Sequence, residues 1–203
     1  MNRKAKVFFY LLALVTAVAA EAEESQLRSG VFKPPRAAPD FSLLGSDGSE
    51  IKLSRYRKHV VALGFGFTSC ADVCPVTLAK LAGVRKKLGA AGSKFQVLYI
   101  TVDPERDRPD RLQQYLANFD PTFIGATGSP EQLADVYKAY GIFALKEQTR
   151  GSQSKYAVHH SSFVYLIDRE GSLRAMFPFG QPTEDIAHDV KILLSSATEG
   201  HSR

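Results

Sequence analysis

The chain is poor in cysteine, with two in 203 residues. A disulfide-stapled scaffold needs more, so the fold must rest on an apolar core, and the length is sufficient for one. No proline stands between Pro130 and Pro178, and no long apolar run follows Ala20. That second absence excludes a polytopic membrane protein. There is no internal repeat. Excess charge is also small: Lys+Arg number 26 and Asp+Glu 21, a net +5. Arg3, Lys4 and Lys6 supply three of those charges, which leaves +2 for the rest. That is no footprint for nucleic acid, which needs Lys and Arg clustered on one face. With 44% hydrophobic and 23% charged residues, the composition suits one globular domain with extensions.

Residues 1–22 carry a basic start, an apolar run Val7–Ala20, and small residues in A-x-A spacing (Ala17-Val18-Ala19, then Ala20-Glu21-Ala22). This is the layout of a secretory signal peptide. The run has 14 residues, short of the ~20 that span hydrocarbon, so cleavage is favoured over an uncleaved anchor. Either way the domain is expected to be exported, to a bacterial periplasm, where thiols meet an oxidising environment. Residues 23–39 combine Glu23 and Glu24 with Pro34, Pro35 and Pro39 and read as a flexible tether. The folded domain is placed at 40–195 and a loose tail at 196–203. A mature chain from about residue 21 is expected to be soluble and monomeric.

Within 40–195 strands and helices alternate. Phe41–Leu44 and Ile51–Leu53 flank a turn. Val60–Phe67 is continuously apolar, as in a strand buried on both faces. A helix is expected over Pro75–Leu88, a second buried strand over Phe95–Val102, a helix over Pro109–Phe119 and a short strand over Phe123–Ala126. Ser129-Pro130-Glu131-Gln132 is a capping box that opens a helix to about Tyr140. Phe163–Ile167 and Leu173–Phe177 read as strands, and Thr183 as the cap of a last helix. The pattern predicts an α/β sandwich with a mixed central sheet.

Cys70 and Cys74 lie four apart where the first long strand hands over to a helix. If 70–74 forms the helix's first turn, the sulfurs share a face, at a spacing that suits a disulfide or two thiolates on one metal. A helix N-terminus also favours the thiolate. A purely structural disulfide is the blander account, but so short a loop gains little entropy from closure. Thioredoxin-type oxidoreductases use C-x-x-C, not C-x-x-x-C. Many of them also place a cis-proline before the later strand, where this chain has His159-His160-Ser161. Peroxiredoxins carry Thr or Ser three residues before the reactive cysteine, where Phe67 stands. In a thioredoxin-like fold a histidine of this pair could meet both sulfurs. Two thiolates and an imidazole suit Cu(I) and also hold Cu(II). Zinc competes, but structural zinc usually takes four ligands.

The stretch Phe65-Gly66-Phe67-Thr68-Ser69-Cys70-Ala71-Asp72-Val73-Cys74-Pro75 resembles the F-G-Y-T-x-C-P-D-V-C-P pattern of the Sco/SenC family of copper chaperones for cytochrome c oxidase. Val102-Asp103-Pro104-Glu105-Arg106-Asp107 is similar to its V-D-P-x-R-D segment. Phe123-Ile124-Gly125 with Gly128 is similar to its F-x-G-L-T-G, and Tyr156-x-Val158-x-His160-Ser161 to its Y-x-V-x-H-[ST]. The departures are Ala71 for proline and Phe67 for tyrosine, and neither removes a ligand. The resemblance implies a thioredoxin-like fold and one copper, Cu(I) or Cu(II), held by Cys70, Cys74 and His160. It implies delivery to the dinuclear copper site of oxidase subunit II, or maintenance of that site's thiols. Other periplasmic copper carriers or thiol reductants would then be further partners. A thiol–disulfide oxidoreductase in which Cys70 and Cys74 are the redox pair is the rival reading; it has no need of His160.

Other residues admit plainer accounts. Asp72 either satisfies helix-start N–H groups or helps dock a partner. Asp103, Glu105 and Asp107 suggest a hard-metal site less than a strand-to-helix loop, with Asp107 near the next helix start. Lys146–Lys155 reads as a polar loop that leads into the histidines. His59, His188 and His201 are expected to face solvent without partners.

Overall fold

The structure is a computed structural model that describes residues 27–148 and 156–196. Ten strands and four α-helices are present among them. The strands are β1 (Gly30–Ala37), β2 (Ser42–Gly45), β3 (Glu50–Lys52), β4 (Val60–Gly66), β5 (Phe95–Thr101), β6 (Ile124–Thr127), β7 (Ala144–Gln148), β8 (Tyr156–His160), β9 (Val164–Ile167) and β10 (Ser172–Phe177). The helices are α1 (Val73–Leu88), α2 (Pro109–Ala117), α3 (Pro130–Tyr140) and α4 (Thr183–Ser195).

Eight strands form one mixed sheet in the order β1-β10-β9-β4-β5-β6-β2-β3. β4, β5 and β6 run parallel; β9 lies antiparallel on the other side of β4. All residues of β4 are buried, as an unbroken apolar run at the centre of a two-faced sheet requires. Side chains alternate along it. Phe65 meets Tyr137 and Tyr140 of α3. Gly64 and Gly66 turn the other way, toward Tyr99 of β5 and Cys74 of α1. α4 packs beside α1, and α2 presses Leu112 and Leu116 onto Gly125 of β6. Helices therefore cover both faces, and the α/β sandwich expected from the alternation is the one observed.

Several boundaries need correction. The tether expected over 23–39 includes an ordered part: Leu27 is buried and β1 adds an edge strand to β10, so the folded unit starts well before residue 40. The register shifts between Val31 and Arg36, and Pro34 and Pro35 fall inside that interruption. Proline has no N–H for a ladder and is tolerated at edges and irregularities. Phe32 stacks on Tyr165 at 6.3 Å between ring centroids. Ahead of β1, the Arg28 and Ser29 amides donate to the Asp189 carboxylate at 2.8 and 2.9 Å. Asp189 lies inside α4 and is fully buried; its two amide donors make that burial tolerable.

The capping box at Ser129 forms as expected, with both reciprocal bonds. Thr183 does not cap α4; Pro182 occupies the cap position and no side chain bonds there. The loop expected over 146–155 begins as β7, which pairs antiparallel with β8 in a separate two-stranded sheet. Residues 149–155, the expected signal peptide at 1–22 and His201 lie outside the described residues.

Candidate metal centre

β4 ends at Gly66, and the chain turns before α1 begins. The Cys70 amide donates to the Phe67 carbonyl at 3.3 Å, so Cys70 belongs to this turn and not to a helical first turn. Cys74 is the second residue of α1. Asp72 occupies the cap position, but its side chain makes no cap hydrogen bond. Both cysteines are free thiols; Cys70 is partly exposed and Cys74 is buried.

The turn is held from below by Asp107. This carboxylate is fully buried and is not a helix-start residue. It accepts from the Thr68 amide at 2.9 Å, the Thr68 hydroxyl at 2.6 Å and the Thr101 hydroxyl at 2.8 Å. Arg111 closes the outer side, donating to the Thr68 hydroxyl at 2.7 Å and the Ser69 hydroxyl at 3.0 Å. The order Thr68-x-Cys70 with a later Asp107 gave no local hint of this contact, because 39 residues separate its ends.

The histidine arrives on β8. Alternation along the strand sends its two histidines to opposite sides. His159 is exposed and meets Glu147 at 3.1 Å. His160 turns inward, with its Nε2 3.6 Å from Cys74 Sγ and its ring edge-on to Phe67. One ligating atom each from Cys70, Cys74 and His160 all fall within 4.8 Å of one another. Among the described residues this is the group of His, Cys, Asp or Glu side chains with the geometry to hold a metal ion.

The orientation of the imidazole is determined by Ser161. His160 Nδ1 lies 2.8 Å from the Ser161 carbonyl oxygen, which can only accept. Nδ1 must therefore carry a proton, and the neutral ring presents its Nε2 lone pair to the sulfurs. Such a carbonyl partner fixes the tautomer of metal-binding histidines in general. In the metal-free state the two thiols are unequal. A hydrogen bond from Cys74 lowers the Cys70 pKa far below that of an ordinary thiol, with further help from the Asp72 and Cys74 amides. Cys74 is pushed up by the same bond and by burial. The thiolate is thus favoured at Cys70 over Cys74.

The hairpin that carries His160 is fastened to the 103–107 segment. Tyr156 donates to Asp103 at 2.7 Å, and Lys146 pairs with Glu105 at 2.7 Å. Arg106 pairs with Asp103 and lies over the Tyr156 ring. The acidic cluster of this segment is consumed by these contacts and by the turn, as a loop reading of Asp103, Glu105 and Asp107 required. A shallow groove lined by Phe67, Ser69, Asp72, Arg106 and Tyr156 leads from solvent to Cys70 and His160. His188 does have a neighbour, Asp189 at 3.3 Å from its Nδ1, contrary to the expectation of none. His59 is 3.4 Å from the Arg57 carbonyl.

Comparison with known proteins places this geometry in a family. A SCO2-like protein of Rickettsia prowazekii is 37% identical over 131 residues, 64% of each chain. The chain thus spans about 64% of the length of that relative. The mitochondrial SCO2 homolog of Bos taurus is 36% identical over 154 residues, 75% of this chain and 58% of its own. The crystal structure of Arabidopsis thaliana ScoI with copper bound superposes with a TM-score of 0.71 at 32% identity, covering 77% of this chain and 98% of that one. The shared architecture is the thioredoxin-like fold. The SCO1/SenC family model matches residues 32–195, from β1 to the end of α4, and the chain belongs to the SCO1/SenC family.

Proposed function

We propose that the protein is a copper carrier for cytochrome c oxidase assembly. It binds one copper ion through Cys70, Cys74 and His160 and passes it to the dinuclear copper site of oxidase subunit II. The convergence of two sulfurs and an Nε2 lone pair within 4.8 Å carries the reading, and a copper-bound relative supports it. Copper is cargo here. Two thiolates and one imidazole satisfy Cu(I), which accepts low coordination, and fall short of the four ligands usual for structural zinc. Partial exposure of Cys70 and His160 along the groove suits ligand exchange with a partner. The protein is exported to the periplasm through residues 1–22 and acts there as a monomer; no helix among the described residues is long and apolar enough to cross a membrane.

A second role in thiol–disulfide exchange, maintaining the thiols of the same client, is favoured by one observation: the partly exposed Cys70 and the buried Cys74 are free thiols with their sulfurs within 4.8 Å of each other, and their contact favours the thiolate at Cys70. That is the arrangement of an attacking thiol and its resolving partner. Closure of the pair to a disulfide removes both thiolates and excludes copper.

The test is metal titration of the reduced protein. Wild type should take one Cu(II) with intense sulfur-to-copper absorption. His160→Ala should bind more weakly with an altered Cu(II) spectrum, while Cu(I) persists on the two sulfurs. His159→Ala should match wild type, since its ring faces Glu147. Loss of binding in His159→Ala instead would refute the assignment. If neither variant changed binding or spectrum, the imidazole would not be a ligand and the three-donor assignment would fail.

A further inference from the structure

One polar atom beside the site lacks a hydrogen-bond partner of good geometry in the metal-free protein. The Tyr99 hydroxyl is buried and makes no hydrogen bond among the described residues, and the whole side chain is 3% exposed. A buried hydroxyl without a partner is costly, and Phe would fill the same space without that cost. Its position shows what it faces. A Cβ at Gly66 would stand 1.9 Å from Tyr99 Oη and 2.8 Å from Cys74 Sγ. Both atoms therefore close on the same small space above Gly66, which only a hydrogen leaves free. A phenol keeps its O–H at neutral pH and is a donor there.

We propose that Tyr99 is a positioning residue whose hydroxyl donates to the Cys74 sulfur when that sulfur becomes a thiolate on a metal ion. In the metal-free protein Cys74 is a free thiol, and a neutral thiol sulfur is a weak acceptor. Metal binding releases the thiol proton to solvent and leaves an anionic sulfur deep in the fold. Cys70 has water and backbone amides to support its charge; Cys74 is buried, and Tyr99 is the donor placed against it. A hydrogen bond to a metal-bound thiolate draws electron density from the sulfur and adjusts the metal's spectrum and potential. Gly66 has a matching purpose, because any side chain there would separate phenol from sulfur.

The inference rests on metal binding by this site, and its test reads two metals so that the copper proposal can fail separately. Tyr99→Phe keeps the ring and removes the hydroxyl; Tyr115→Phe removes a second unpartnered hydroxyl carried by α2 and serves as the control. Reduced wild type and both variants are titrated with Cu(II) and, separately, with Cd(II), which two thiolates bind whatever the natural cargo. In Tyr99→Phe the sulfur-to-copper band should move to longer wavelength and the cadmium-113 resonance should shift. Affinity should fall by roughly 10–100-fold, the usual effect of losing a ligand's supporting partner. The metal-free variant should be no less stable than wild type, since it has lost only an orphaned group. That opposition separates support of the thiolate from a packing role. Tyr115→Phe should leave the spectra unchanged. Unaltered copper and cadmium spectra in Tyr99→Phe, or a shift in Tyr115→Phe instead, would overturn the proposal. If wild type took cadmium but not copper, the copper reading would fail and the cadmium arm would still decide Tyr99.

Discussion

His160 presents Nε2 to the sulfurs because Ser161 holds its other nitrogen. The thiolate is favoured at the partly exposed Cys70 because the buried Cys74 hydrogen-bonds to it. These local arrangements set the chemistry. A thiol whose pKa is lowered keeps its reactive thiolate as pH falls, until pH reaches the lowered value. Alkylation of Cys70 by iodoacetamide in the reduced protein should therefore change little between pH 8 and pH 6. An ordinary thiol slows by roughly tenfold for each pH unit below its pKa. Site-resolved mass spectrometry of the alkylated protein measures this, with Cys74 as the slow, buried counterpart. A Cys70 rate that fell in step with pH would show that the hydrogen bond from Cys74 does not hold the thiolate. At this scale the sequence was informative about the candidate ligands and silent about their supports. Two cysteines four apart and a histidine pair before a strand could be read directly. Asp107 could not, because its carboxylate reaches Thr68 only after α1 and β5 have folded between them. Tyr99 reads simply as one more aromatic in a buried strand.

Among the elements, β1 has the most consequence. It covers the β10 edge, stacks Phe32 on Tyr165, and follows two amides that donate hydrogen bonds to the buried Asp189. Hydrogen bonds to charged groups contribute about 1.5–3 kcal/mol each. A chain starting at Asp40 should thus lose at least about 3 kcal/mol relative to one starting at Leu27. Urea unfolding of the two chains checks this. Equal midpoints would mean that the strand is ornamental and that a boundary at residue 40 was right after all. The boundary was hidden by Pro34 and Pro35, which look like linker residues and sit where the ladder is interrupted. Asp189 was the available clue: a charged residue on the face that Ile186, Val190 and Leu193 bury demands partners from elsewhere. The central strands and α3 were legible because their signals are local, a continuous apolar run and a reciprocal capping box. β7 and β8 were only half legible; exposed polar strands such as Leu145–Gln148 lack the alternation that marks a buried face.

The molecule as a whole assembles the site from chain segments that the fold alone brings together. The parallel central strands β4 and β5 deliver the cysteine turn and the 103–107 segment to the same end of the sheet. β9, antiparallel to β4, brings the preceding hairpin back over them, and Tyr156 fastens that hairpin to Asp103. An i,i+4 cysteine pair is by itself only a dithiol; the sheet topology converts it into a three-donor centre. The proposed ligand set therefore depends on the architecture, which the alternation of strands and helices did make legible. It also defines the claim most open to direct contradiction. X-ray absorption spectroscopy of the reduced protein loaded with one equivalent of Cu(II) counts the atoms bound to the metal. The account predicts two sulfur scatterers and one imidazole, with the imidazole lost in His160→Ala and retained in His159→Ala. A copper bound by nitrogen and oxygen alone, or an imidazole signal that survives His160→Ala, would contradict it.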